Sequence, residues 1–130
     1  MGQAYKPQPS ALIVGQNFDQ RDLVGMLLEE CDLKVIDCES AEAAVLVLSA
    51  MGEAVRIVFT TVDLPGSGDG VTLAREVGER WPHVRVVALT ADAPDDLKRK
   101  LPRKVIRMQN PRPLDILVQA GKAIDTPRRH

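Results

Sequence analysis

A chain of 130 residues suits one domain with a hydrophobic core of its own. With 45% apolar and 27% charged residues, its composition is that of a globular protein and excludes a fibrous or intrinsically disordered one. The net charge of −1 is unevenly spread: residues 1–65 hold 4 Lys/Arg against 10 Asp/Glu, and residues 66–130 hold 13 against 8, giving −6 and +5. Such asymmetry marks an interaction surface. No apolar run approaches the roughly 18 residues that cross a bilayer. Residues 1–10, a polar segment with Pro7 and Pro9, carry no basic-then-apolar secretory pattern. Lys6 stands where a myristoylation motif wants Ser or Thr. Cys31 and Cys38 form no metal-ligand spacing with His83 or His130 and read as reduced, semi-buried thiols. A cytoplasmic protein with no metal site and no membrane association is expected.

In chain order, residues 1–10 read as a loose tail. Ala11 to Val14 is an apolar run ending at Gly15-Gln16-Asn17, and predicts a buried strand. Asp19 then caps a helix whose apolar positions are Leu23, Val24, Met26, Leu27 and Leu28. Lys34 to Cys38 is a second strand, and Ser40 caps a second helix that runs through about Ala50. A third strand around Ile57 to Phe59 stops at Thr60-Thr61-Val62-Asp63, and Leu64-Pro65-Gly66 supplies a turn. Val71, Leu73, Ala74 and Val77 then recur at helical spacing in a third helix, which Trp81-Pro82 closes near Arg80. Val84 to Leu89 is a fourth strand ending at Thr90. A short polar helix over Asp95 to Leu101 follows, then a fifth strand, Val105 to Met108, and a last helix over Pro113 to Ile124. Residues 126–130 form a short basic tail, which leaves 11–125 as one domain.

Strands alternate with helices throughout, and each strand is a near-continuous apolar run, as expected when both faces of a parallel sheet are covered. Right-handed crossovers at this size favour a doubly wound α/β sandwich of five strands in the order 2-1-3-4-5. The sheet direction then reverses between strands 1 and 3. Gly15-Gln16 and Thr61 face one another there, across the crevice where ligands of such sheets bind.

Several stretches together resemble one family. They are ALIVGQNFDQRDLV for the first strand and helix, VFTTVDLPGSGDGVTLAREV for the third, VVALTA for the fourth strand and VIRMQNPRPLDIL for the fifth. A Leu-Pro-Gly turn followed by Asp-Gly, a strand ending in Thr-Ala, and a strand leading to Asn-Pro make up the combination. Over about residues 10–125 the chain resembles the receiver domains of bacterial two-component response regulators, which have the CheY-like, flavodoxin-like fold. The resemblance implies a phosphorylated Asp at the end of strand 3 and an acidic pair at the end of strand 1 that holds Mg²⁺. It also implies a Lys at the end of strand 5 and a hydroxyl at the end of strand 4 that senses phosphorylation. Matched residue by residue, the acceptor position is Thr61, the acidic pair is Gly15-Gln16 and the Lys is Asn110. Thr90 retains the hydroxyl, and Arg107 stands at the aromatic position of strand 5 that commonly couples to it.

The chemistry of that replacement is direct. Mg²⁺ wants carboxylate oxygens in near-octahedral array, and Gly15, Gln16 and Thr61 supply none. A transferring phosphoryl group needs a metal and a cation, and Asn110 is neutral. The hydroxyl of Thr61 has no evident base to activate it. The expected protein is therefore no enzyme and needs no cofactor. It is a stand-alone atypical receiver that acts in two-component or phosphorelay signalling by protein–protein contact. Gln16, Thr61 and Asn110 would form a neutral hydrogen-bonded cluster. Asp63 reads as the organiser of the turn before Pro65, or alternatively as a displaced phosphoacceptor. Asp69 reads as the cap of the third helix. A further alternative is a small-ligand sensor that uses the vacated pocket near Thr90 and Asn110.

Residues 97–114 hold seven cations (Lys98, Arg99, Lys100, Arg103, Lys104, Arg107 and Arg112) and no acid. In receivers this is the face of the fourth helix, fifth strand and fifth helix, which serves dimerisation and output contacts. Lys98, Lys104 and Arg107 are the candidate partner-binding residues, for a histidine kinase, another signalling regulator or a second copy. The stretch lacks interleaved aromatics and a recognition helix, so nucleic acid is not the expected partner.

Overall fold

The structure is a computed structural model, which describes residues 9–15, 18–61, 70–90, 104–109 and 112–125. Five strands and four helices alternate within it: β1 (Ser10–Val14), α1 (Phe18–Glu30), β2 (Lys34–Cys38), α2 (Ala41–Met51), β3 (Val55–Thr61), α3 (Gly70–Arg80), β4 (Arg85–Thr90), β5 (Ile106–Gln109) and α4 (Pro113–Asp125). All neighbouring strands are parallel, and the order is β2-β1-β3-β4-β5, as the apolar runs and crossover rule predict. The short polar helix expected over 95–101 lies outside the described residues, as do both terminal tails apart from Pro9 and Ser10.

Two cores explain why the strands read as unbroken apolar runs. On one face Leu12 and Val14 of β1 pack with Val58, Val86 and Ala88 under α2 (Ala41, Ala44, Leu48) and α3 (Val71, Leu73, Ala74, Val77). On the other, Ala11 and Ile13 pack with Ile57, Phe59, Val87 and Leu89 under α1 (Val24, Leu28) and α4 (Ile116, Ala120, Ala123). The period-two alternation of each strand is therefore apolar on both sides. At the edge of the sheet that demand relaxes, and Lys34 and Asp37 of β2 are exposed.

Local signals account for the start of α2 and the end of α1. Ser40 is extended (φ −144°, ψ 164°), and its hydroxyl accepts from the Ala43 amide at 3.1 Å, the expected cap of α2. Helix α1 closes with the Leu33 amide donating to Leu28 at 3.3 Å and that of Asp32 to Glu29 at 3.0 Å. This is a Schellman arrangement, with Asp32 in the left-handed region (φ 63°) that Asp tolerates better than bulky residues do. Buried Leu33 joins Leu28 in the same core.

Several boundaries differ from the sequence reading, and β4 and β5 each begin one residue later than expected, at Arg85 and Ile106. Helix α1 begins at Phe18, so Asp19 lies in its first turn and not at its cap. Strand β1 takes in Ser10, whose amide donates to Ala54 at 2.8 Å, and β3 extends from Val55 to Thr61 because Val55 pairs with Ser10 of β1 and Thr61 with Leu89 of β4. On α1 the buried stripe is Val24, Leu27 and Leu28, at the spacing one face requires, while Leu23 and Met26 turn outward and are 47% and 65% exposed.

At the N-terminal ends of the strands α2 and α3 are tied together. The Nε2 of His83 donates to the carbonyl of Gly52 at 2.8 Å. The Arg80 guanidinium stacks 4.4 Å over the Trp81 ring and pairs with Glu76 at 2.8 Å. Gly52 is needed for space and not for its backbone freedom, since its φ of −57° suits any residue. A β-carbon there would lie 2.6 Å from both the Leu48 carbonyl oxygen and Trp81 Nε1. Gly52→Ala is expected to cost about 1–3 kcal/mol through overpacking, read as a lower urea midpoint with an unchanged slope.

Candidate functional site

The order β2-β1-β3 places the C-terminal ends of β1 and β3 side by side where the connections diverge to opposite faces. Val14 is in register with Thr60, so Gly15 and Thr61 meet at the rim. Gly15 is buried, and its amide donates to the Cys38 carbonyl of β2 at 3.0 Å. Thr61 is half-buried and leans over it: a β-carbon at Gly15 would lie 3.1 Å from Thr61 Cγ2 and 3.2 Å from its Oγ1. The threonine thus occupies the space that a side chain on residue 15 would need. Neither position carries a charge. Among the described residues no three His, Cys, Asp or Glu side chains converge as a metal site would require. These two positions, one without a side chain and one with a neutral hydroxyl, do not suit a hard divalent cation.

Thr60, one residue earlier, is wholly buried, and its hydroxyl donates to the carbonyl of Thr61 at 2.9 Å. It lies in a row that crosses the sheet through successive register partners, from Cys38 through Val14, Thr60 and Ala88 to Arg107. Thr90 ends β4 opposite Gln109, at the same end of the sheet. Gln16, Asn110, Asp63 and Lys98 lie outside the described residues. The structure therefore brings Gly15 and Thr61 together and sets Thr90 at the end of the next strand.

The cations near β5 divide. Lys104, just before the strand, is exposed, and its Cε reaches to 4.0 Å from where a β-carbon on Gly78 of α3 would sit. Arg107 is half-buried, and its Nη1 is buried with no hydrogen-bond acceptor among the described residues. Sequence alone reads Arg107 as one of a surface cluster. Its place opposite Ala88, on the face that carries α2 and α3, accounts for that burial. On the opposite face Arg85 Nε donates to Gln119 Oε1 at 2.7 Å, which ties β4 to α4.

The fold can be compared with solved structures at this point. A response regulator receiver domain protein from Clostridium thermocellum superposes with a TM-score of 0.77 at 20% identity, over 90% of this chain and 94% of that one. A CheY-like receiver protein from Methanospirillum hungatei gives 0.79 at 18%, over 92% and 95%. A response regulator from Thermotoga maritima gives 0.75 at 22%, over 92% and 100%. The chain has the receiver-domain fold. No protein-family model matches the sequence, and no curated protein sequence does either. Identities of 18–22% carry the likeness of fold, and the chemistry at the crevice is read from this chain's own residues.

Neither cysteine forms a disulfide. Burial pushes the Cys31 thiol above its ordinary range, and the carboxylates of Glu30 and Asp32 add to the shift. A raised thiol holds little thiolate at neutral pH. At pH 8 iodoacetamide is expected to label Cys31 more slowly than free cysteine, and buried Cys38 only on unfolding, as peptide mass mapping would show. For the crevice, a double-mutant cycle is expected to show coupling. Gly15→Ala should be less favourable by about 1 kcal/mol with Thr61 present than in the Thr61→Ala background, measured by urea unfolding.

Proposed function

We propose that this chain is an atypical receiver, working in two-component or phosphorelay signalling by protein contact and not by phosphorylation of the usual aspartate. The observation that carries this reading is the packing of Thr61 against Gly15. Two positions that would supply carboxylates in a working receiver are here a threonine and a bare backbone, and the methyl and hydroxyl of the threonine crowd the space a β-carbon on residue 15 would take. With no carboxylate at either position, Mg²⁺ is not a cofactor, and attack on a phosphodonor has neither nucleophile nor metal. The loss of acids also relieves the mutual repulsion that an empty acidic pocket carries. A neutral crevice of this kind holds one conformation without a chemical trigger, so the protein acts as a binding module.

Its partner is a histidine kinase or another signalling regulator in the cytoplasm, met through a cationic face that includes exposed Lys104 and, from the sequence, Lys98. A second copy of the chain is the other occupant of that face. Among the described residues no helix is long and apolar enough to cross a membrane.

Intact mass after incubation with Mg²⁺ and acetyl phosphate tests the reading without a kinase. The expected spectrum is that of the unmodified chain. A phosphoryl adduct labile to hydroxylamine would place an acyl phosphate on a carboxylate, with Asp63 the first to replace by Asn, and would overturn it.

A further inference from the structure

A surface helix ordinarily has one apolar stripe and a polar back, and a helix that is apolar all round is ordinarily buried. Helix α2 breaks that rule. Of its 11 residues, Glu42 is the one charge and Ser49 the one other polar side chain, yet only Ala41, Ala44 and Leu48 are buried. Its outward stripe runs through Glu42, Leu46 and Ala50, at the spacing of one helix face, with Glu53 just past its end. All four are exposed, Leu46 at 71%. The helix is about 16 Å long, so an apolar centre lies between two acids that far apart. The surrounding sequence has the same sign, since residues 32–54 hold five acids against Lys34 alone.

The opposite edge of the sheet reverses the pattern. Strand β5 is an edge strand, and its apolar side chains at Val105, Ile106 and Met108 are only half-buried. Exposed Lys104 stands before the strand and exposed Arg112 after it, and the four residues of β5 between them span about 13 Å. Residues 97–114 hold no acid, and the next one, Asp115, accepts from the Arg112 amide at 2.9 Å. An open sheet edge is a surface that proteins cover, often with a helix. Helix α2 packs over β1 and β2, on the far side of the sheet from β5, so the two surfaces cannot meet within one molecule. Charge then selects among pairings of two copies. A two-fold pairing of α2 stripes sets acid against acid, and a two-fold pairing of β5 edges sets cation against cation. Only α2 against β5 sets acids against cations at both ends.

We propose that the outward stripe of α2 docks on the β5 edge of a second copy of this chain, in a head-to-tail contact. Leu46 and Ala50 cover the half-open apolar side chains of the strand, and Glu42 and Glu53 face Lys104 and Arg112. The contact is heterologous, so each pair keeps one α2 stripe and one β5 edge for further copies. It deepens the proposed function by naming the surface that a second copy brings to the cationic face, and it rests on that face being a contact surface.

Sedimentation velocity of the full chain from micromolar to millimolar concentration, at low and high salt, tests it. The weight-average mass is expected to climb past that of a dimer without a plateau, and to fall as sodium chloride is raised. Two variants decide the geometry. Glu42→Gln with Leu46→Gln spoils the α2 stripe and leaves the β5 edge; Lys104→Glu with Arg112→Glu does the reverse. Each alone should associate about tenfold or more weakly, while keeping the Tm of the wild type within a few degrees because all four positions are exposed. Mixed in equal amounts, the two should form a 1:1 heterodimer that grows no further, since one good surface of each remains. Leu46→Gln alone carries the comparison if the double variant of α2 does not fold. A monomer throughout, a plateau at the dimer, or a mixture that associates no better than its components would overturn the proposal. Those outcomes remove the second copy as a partner and leave the acetyl phosphate experiment to decide the proposed function by itself.

Discussion

The side-by-side placement of β1 and β3 governs most of what this molecule is. Both strands are buried on both faces, so each must supply apolar side chains in alternation to two separate cores: Leu12 and Val14 to one, Ala11 and Ile13 to the other. Their parallel pairing brings both C-terminal ends to the same edge, and the connections that leave them run to helices on opposite sides. A crevice is a geometric by-product of that arrangement. Chemistry follows only if the last residue of each strand supplies it, and here the two meet as backbone and methyl group.

Much of the fold is written in local patterns. Unbroken apolar runs announced the buried strands, Ser40 announced the start of α2, and Trp81-Pro82 marked the end of α3. Where local patterns misled, a partner distant in sequence decided the outcome. Ser10 and Val55 became strand because β1 and β3 pair along their length, and Leu23 and Met26 turned outward because the sheet beneath accommodates one stripe of α1. The site was legible to the same degree. Gly15 and Thr61 were identifiable as rim residues from strand order, but their steric dependence was not, because it arises across two strands separated by a helix–strand–helix segment. Arg107 was legible as a charge and not as a buried one. Its sequence neighbours are other cations, and β5 is too short for its alternation to stand out.

The electrostatic character of the crevice end follows from which charges are absent as much as from which are present. With a hydroxyl at Thr61 and no side chain at Gly15, neither position brings a charge to the crevice.

The tie among Gly52, Trp81 and His83 has a mechanical consequence. It fastens the far end of α3, next to the N-terminal ends of the strands, while Gly70 begins that helix at the crevice. An 11-residue helix is a rod of about 16 Å. Because Gly70, Val71, Leu73, Ala74 and Val77 are buried along it, the tie at Trp81 and the core together hold α3 over its whole length and fix the direction in which the chain enters the helix at the crevice.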